Sequence, residues 1–456
     1  MSSRLFRVAA LLLLLALTRP VTAVQQPEPG DDMPNVVGEV SQRLLDHFLQ
    51  MNVDKQIMFT DNVLGTSVRG AVHTRGRVAS VLVPDTKMAA IELRFTGTTN
   101  SPRIVGTNGP ATIHSSSSSN FTARKLIRLD ELGLHLLPTV AQANTKVSIN
   151  DVVASRRIVE RIARRRVKQS QEEARAITSQ RTQSRLQQEV DRDAAAPLAQ
   201  AQDYFMNSFR QPLLERQSLP KLFQFSTTHS NLRVMLQQCS RSQSAPPKFV
   251  PALESRHDIA VALHESSICS IYEVFFAGQR AVDREVLHTV QLLTGEVPRP
   301  LRVHARTPSW SIVWADRQPL ALSFTDDQAA FTIRLKSLQY GERNFDGVFS
   351  ISVRYAIQNI DGAPRLARLG EVEIEGATAN GSSAHLAEAI AILRTKFSAV
   401  FQPNFAFEGL VPPTGGVWGK LRMLLLNQLE AQDGWLVVGY QLPRPATVVA
   451  NVSRSK

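Results

Sequence analysis

Cysteine is nearly absent from this sequence: Cys239 and Cys269 are the only two in 456 residues. So small a supply excludes a disulfide framework, and it excludes a cysteine-rich zinc or iron–sulfur centre, which needs several closely spaced thiolates. One bridge between Cys239 and Cys269 stays open, because geometry decides it and spacing does not. Metal-ligating histidine spacing is missing as well. His264-Glu265 starts like a zinc-protease helix, but Ile268 stands where the second imidazole belongs. Serine is plentiful, yet no GxSxG elbow accompanies the His257-Asp258 pair. The run Thr414-Gly-Gly-Val-Trp-Gly-Lys420 lacks the first glycine of a phosphate loop and has Leu421 where a magnesium-binding hydroxyl belongs. Asp326 and Asp327 are adjacent, so on a strand they would face opposite sides, and a loop between strands is their expected place. No catalytic residue, metal ligand or cofactor site is assigned on these grounds.

Long apolar runs are also missing beyond the N-terminus, where nothing approaches the ~20 residues that cross a bilayer. The N-terminus itself is different. Arg4 and Arg7 precede an uncharged run from Val8 to Leu17, and Val21 and Ala23 supply the small residues that a signal peptidase reads. Residues 1–23 therefore read as an export signal, and the mature chain is expected to start near Val24, in a periplasm or outside the cell. No transmembrane helix is expected after cleavage.

What remains is basic and globular. The formal charge of +12 becomes +9 when Arg4, Arg7 and Arg19 leave with the signal, and 41 arginines stand against 11 lysines. A GC-rich genome that favours Arg codons is the first reading of that balance, and selection for anionic partners is the second. The charge concentrates in one place: Arg156, Arg157, Arg161, Arg164, Arg165, Arg166 and Lys168, opposed by Glu160 alone. On a helix Arg157, Arg161, Arg164, Arg165 and Lys168 share a face about 16 Å long. Such a stripe either keeps a helix solvated or docks an anionic polymer or membrane surface. No aromatic interrupts it, so it offers no stacking platform and argues against nucleic acid.

Along the chain, residues 24–33 read as a linker and 34–149 as a helix plus a β-rich region. In that helix, started by Pro34, Val37, Val40, Leu44, Phe48 and Met51 form one stripe. Strand-like segments follow, with Ser115 to Ser119 as punctuation between them. Asn150 or Asp151 is expected to cap a long helix that runs to Ala196, where Pro197 interrupts it, within a basic helical segment 150–219. Residues 220–442 read as a second β-rich region. Its alternation is strongest around Trp310, Ile312 and Trp314 and from Phe349 to Ile357. An amphipathic helix is expected over Ser383 to Phe401, with Leu386, Ile390, Leu393, Phe397 and Val400 on one face. A closing hairpin turns at Asp433-Gly434, and 443–456 is a flexible tail. The fold class is α+β: two antiparallel β-rich regions with covering amphipathic helices, joined by a long basic helix.

The runs Asp61-Asn-Val-Leu-Gly-Thr, Arg156-Arg-Ile-Val-Glu-Arg, Gly416-Val-Trp-Gly-Lys-Leu and Gly434-Trp-Leu-Val-Val-Gly-Tyr440 resemble a family of exported bacterial proteins that carries no assigned activity. Amphipathic helices laid on long antiparallel strands are similar, in architecture alone, to the tubular lipid-binding superfamily, whose members hold lipid between helix and sheet. That similarity implies no particular residue. The leading reading is an exported, non-enzymatic binding or structural protein that engages anionic surfaces through the basic helix. A carrier of lipid or another apolar ligand is the alternative, and an exported hydrolase the third. The sequence carries no signal for oligomeric state.

Overall fold

Period-two alternation governs the first half of the chain. The computed structural model describes residues 33–239, 247–253, 256–294, 298, 301, 308–360, 363–378, 382–406 and 424–443. The expected signal 1–23, the loop 414–420 and the tail 444–456 lie outside the described residues. The chain divides into two units: unit 1 holds Gln42–Met206 and Phe225–Leu232, and unit 2 holds the other described residues.

The described chain begins with β1 (Val36–Ser41) and α1 (Gln42–Leu49). The helix expected from Pro34 is corrected here. β-branched Val36, Val37 and Val40 favour an extended backbone and pair with Ile259–Leu263, so only Leu44, Leu45, Phe48 and Leu49 bury at helical spacing.

In unit 1 the strands are long: β2 (Met51–Val63), β3 (Thr66–Val83), β4 (Ala89–Asn108), β5 (Ala111–Asp130), the short β6 (Gly133–Leu136) and β7 (Val140–Ala154). They form one antiparallel sheet in the order β2-β3-β4-β5, which β5 extends to both β6 and β7. Leu64 and Gly65 take positive φ of 51° and 75° between β2 and β3, the conformation of a two-residue hairpin turn. Gly76 and Gly97 sit opposite each other because the strands approach too closely for a Cβ. One on Gly97 would lie 2.2 Å from the Arg75 carbonyl oxygen, and one on Gly76 2.6 Å from the Phe95 ring. The Ser115 to Ser119 run is not a break. It lies within β5, which is paired on both sides, and its odd-numbered members face the same way as buried Phe121 and Ala123.

The helices of unit 1 start later than the sequence implied. Asn150 to Ala154 remain in β7, where Val152 and Val153 pair with Ile113 and Thr112, and this long-range pairing overrides the local capping signal. Helix α2 (Arg157–Gln169) follows, then α3 (Gln171–Phe205), with Ser170 between them. Pro197 does not interrupt α3; it lies buried inside a helix that continues to Phe205. A π-helical turn, Met206–Arg210, and α4 (Gln211–Glu215) complete this helical run. Helix α3 lies on the inner face of the sheet, where Leu186 packs against Val78, Phe95, Phe121, Ala123 and Ala141. Phe95 and Phe121 meet edge to face at 4.7 Å. Lys125, its side chain only 6% exposed, is held by Asp191 of α3 at 2.6 Å.

The remaining elements are β8 (Leu222–Thr227), β9 (Asn231–Gln237), β10 (Ile259–His264), α5 (Glu265–Phe276), β11 (Arg280–Val282), α6 (Asp283–Thr294), β12 (Trp310–Trp314), β13 (Leu320–Thr325), β14 (Gln328–Tyr340), β15 (Arg343–Ile360), β16 (Ala363–Thr378), α7 (Ser383–Val400), β17 (Asn404–Ala406), β18 (Leu425–Gln432) and β19 (Trp435–Gln441). One sheet runs β18-β19-β10-β1-β9-β8, and another runs β11-β12-β14-β15-β16-β17 with β13 also on β14. On the second sheet Trp310, Ile312, Leu335, Phe345, Phe349 and Ile351 make a core that α7 covers with Ala389, Leu393 and Phe397. That is the helix-on-sheet packing expected from the Leu393 and Phe397 stripe. Ser382 caps α7 by accepting the His385 N–H, and the hairpin between β18 and β19 turns on Asp433 and Gly434, both at positive φ. Strands and helices segregated in this way make the protein α+β.

Candidate functional site

Unit 1 contains an open space that its own side chains do not fill. A cavity of about 920 Å³ lies between the inner face of β2 to β5 and β7 and the helices α2 and α3. From the sheet, Ile57, Val63, Val68, Ile104, Ile113 and Ile149 form one apolar wall; from the helices, Val159, Ile162, Ala163, Val167 and Ala174 form the other. The helical residues follow three- and four-residue steps, and the strand residues alternate, so each wall is one face of its element. Its size is at the upper end of ordinary ligand cavities, about 300 to 1,000 Å³.

Two ion-pair contacts close one side of this space. Strand β2 is the sheet's edge, and its inward Asp61 accepts hydrogen bonds from Arg181 and from Arg185, the latter at 2.6 Å. Arg185 also stands 5.4 Å over the Phe59 ring, and Lys55 pairs with Glu189 farther along the same seam. Asp61 is the more enclosed partner, with 19% of its side chain exposed. Partly exposed pairs of this kind contribute about 0 to 1 kcal/mol each, so they orient the helix on the edge more than they hold it. Exposed apolar side chains rim the cavity beside this seam: Met58 on β2, Leu64 in the turn that follows it, and Ile162 on α2.

The basic stripe is on α2, where Arg157, Arg161, Arg165 and Lys168 are exposed and form no ion pair among the described residues. Arg164 differs. Its guanidinium donates to Glu160 at 3.0 Å and to Asp151 at 2.8 Å, bonds that hold its proton more firmly and keep the Asp151 carboxyl below the usual range. Four of the five stripe residues therefore present free charge, and the fifth ties α2 to β7. Sequence reasoning missed what stands beside them: Ile158 and Ile162, one turn apart, are 73% and 63% exposed. Arg166, named in the basic cluster but not on the stripe, lines the cavity.

The other sequence candidates have structural roles. Asp258 accepts from Ser41 Oγ at 2.8 Å and from the Leu442 N–H at 2.7 Å, which fixes the ends of neighbouring strands. His264 caps α5 by accepting the Ser266 N–H at its ring nitrogen and meets the Trp435 ring edge on; burial pushes its pKa down to about 4. Asp326 and Asp327 form the tight turn between β13 and β14, both at positive φ. Trp310 and Trp314 are buried in the core. Cys239 and Cys269 carry no disulfide in this structure, and burial raises the Cys239 thiol. Among the described residues no helix is long and apolar enough to cross a membrane.

No family model matches the chain, and no curated protein matches it by sequence. Solved structures that align with it include a crystal structure of lipopolysaccharide binding protein, at 10% identity and a TM-score of 0.31, covering 90% of this chain and 99% of that one. The structure of P47 from Clostridium botulinum A2 aligns at 10% identity and a TM-score of 0.24, covering 90% and 97%. P47 of Clostridium botulinum E1 aligns at 7% identity and a TM-score of 0.25, covering 90% and 99%. At scores this low the likeness carries no argument about a ligand.

Proposed function

We propose that this protein is an exported, non-enzymatic carrier that holds an amphiphilic molecule of lipid size in the cavity of unit 1. The cavity carries the reading. Its two apolar walls leave about 920 Å³ open, and an alkyl chain placed there removes apolar surface on both sides from water. At about 0.8 kcal/mol per methylene, a fourteen-carbon chain gains roughly 11 kcal/mol, of which about 7 kcal/mol at most remains after an association cost of about 4 kcal/mol or more, a Kd of about 10 µM at best before any polar contact adds to it. The polar residues that the sequence offered for hydrolysis are not among those lining the cavity: Asp258 bonds at strand ends and His264 caps a helix. Organic extraction of purified protein followed by mass spectrometry should recover an amphiphile. Ala163→Phe or Ala174→Trp, which put bulk into the cavity, should lose it while circular dichroism stays unchanged. Recovery of no amphiphile from wild type, together with failure to take up an added one, would defeat the carrier reading.

A second reading concerns α2, and the exposed Ile158 and Ile162 beside Arg157, Arg161 and Arg165 favour it. Basic residues near an anionic leaflet contribute about 1 kcal/mol each, and apolar side chains between them can enter the headgroup layer. On this reading the helix docks the protein on an anionic membrane surface, with the apolar rim at Ile162 directed to the same surface.

A further inference from the structure

The cavity is not apolar throughout. Across the middle of the inner face the strand register sets hydroxyls side by side: Ser101 opposite Ser117, Thr99 opposite Ser119, and Ser119 opposite Thr145. Ser115 follows on β5 in the same row. The band is interior, with Thr99 and Ser115 at 9% exposure, Ser119 at 4%, Ser101 at 3% and Thr145 at 1%. Ser119 and Thr145 satisfy each other at 2.8 Å. Thr99, Ser101, Ser115 and Ser117 line the cavity, and no hydrogen bond joins their hydroxyls to another described residue.

Thr99, Ser101 and Ser115 are buried and Ser117 is half-buried, so hydroxyls that line one space without a protein partner are available to a polar group placed in that space. The band's position is equally informative. On β5 it lies between the aromatic packing at Phe121 and the apolar end at Ile113, away from the exposed rim at Leu64 and Ile162. A ligand that kept its polar group at the mouth would leave the band unused. The band also bears no charge; Arg181 and Arg185 already serve Asp61, and Arg166, the other arginine lining the cavity, is exposed. An ionised head on the band would shed its water with no counter-charge among the band's own side chains, whereas a neutral one exchanges hydrogen bonds at little cost.

We infer that the ligand is a neutral amphiphile whose hydroxyl- or amide-bearing head lies on the band formed by Thr99, Ser101, Ser115 and Ser117, with its chain along the apolar walls. This rests on the carrier reading and narrows it to a ligand class.

The test uses two esters of one chain length, 1-monomyristoylglycerol and methyl myristate, bound to full-length delipidated protein. Wild type is expected to prefer the monoacylglycerol by about tenfold or more, the factor that one or two extra hydrogen bonds supply. The double variant Ser101→Ala, Ser117→Ala should reduce that ratio below about threefold. Thr99→Val, nearly isosteric, gives an independent removal of one hydroxyl and should lower the ratio too. Equal binding of the two esters by wild type, or an undiminished ratio in both variants, overturns this inference and leaves the carrier standing. If neither ester binds wild type, the carrier reading falls and the inference falls with it.

Discussion

A buried imidazole shows how one residue in this protein sets a pH limit. His264 ends β10, accepts the Ser266 N–H at the start of α5, and lies in a site that pushes its pKa down to about 4 from an ordinary 6.5. Protonation would remove the acceptor and place a charge against the Trp435 ring edge at 5.1 Å. Because the folded value lies below the unfolded one, the neutral ring contributes its full stability above about pH 6.5, and that contribution is lost as pH falls toward 4. The loss is at most about 1.4 kcal/mol per pH unit across that window. His264→Asn keeps a capping acceptor that does not titrate. Urea unfolding at pH 7 and pH 4.5 should show wild type losing clearly more stability than the variant; equal losses would mean that other groups set the acid limit.

At the scale of elements, what the sequence made legible and what it hid divide by range of interaction. Helix α7 could be read from the 3.6-residue stripe of Leu386, Ile390, Leu393 and Phe397, and the β18-β19 hairpin from Asp433-Gly434, because each signal is local and agrees with its packing. Asn150 misled because its capping signal competes with a pairing to β5, some 35 residues away in sequence. The serine row misled for the same reason: Ser115, Ser117 and Ser119 become cavity floor only once β4 and β7 are alongside. The stripe on α2 was visible in composition, but exposure of Ile158 and Ile162 depends on how α2 lies on β7. That exposure gives α2 a testable role. Wild type and a variant with Arg157→Glu, Arg161→Glu, Arg165→Glu and Lys168→Glu would be sedimented with phosphatidylglycerol vesicles at 0.1 M and 1 M salt. The Debye length shrinks from about 10 Å to about 3 Å over that range, so wild-type binding through charge should fall steeply and the variant should bind weakly at both. If the two proteins bind alike at low salt, α2 is a solvated face.

For the whole molecule, the cavity and the basic helix have a use only where amphiphiles and anionic surfaces are met, which makes the address of the chain part of its function. The uncharged run from Val8 to Leu17 would extend about 15 Å as a helix, half of a bilayer's ~30 Å hydrocarbon core, and Pro20 lies just beyond it. A segment of that length is expected to start export and is too short to be expected to hold the protein across a membrane. On the proposed export reading Val21 and Ala23 would place the cut before Val24, three arginines would leave with the signal, and the released chain would carry a formal +9. That surplus of positive charge favours encounter with anionic envelope components over the neutral case and weakens with added salt. N-terminal sequencing of material recovered from the exporting cell's extracytoplasmic fraction should therefore begin at or within a residue or two of Val24, with nothing left in the membrane fraction after a high-salt wash. A membrane-retained chain still beginning at Met1 would overturn the released carrier, because its amphiphile could then not leave the surface from which it was taken.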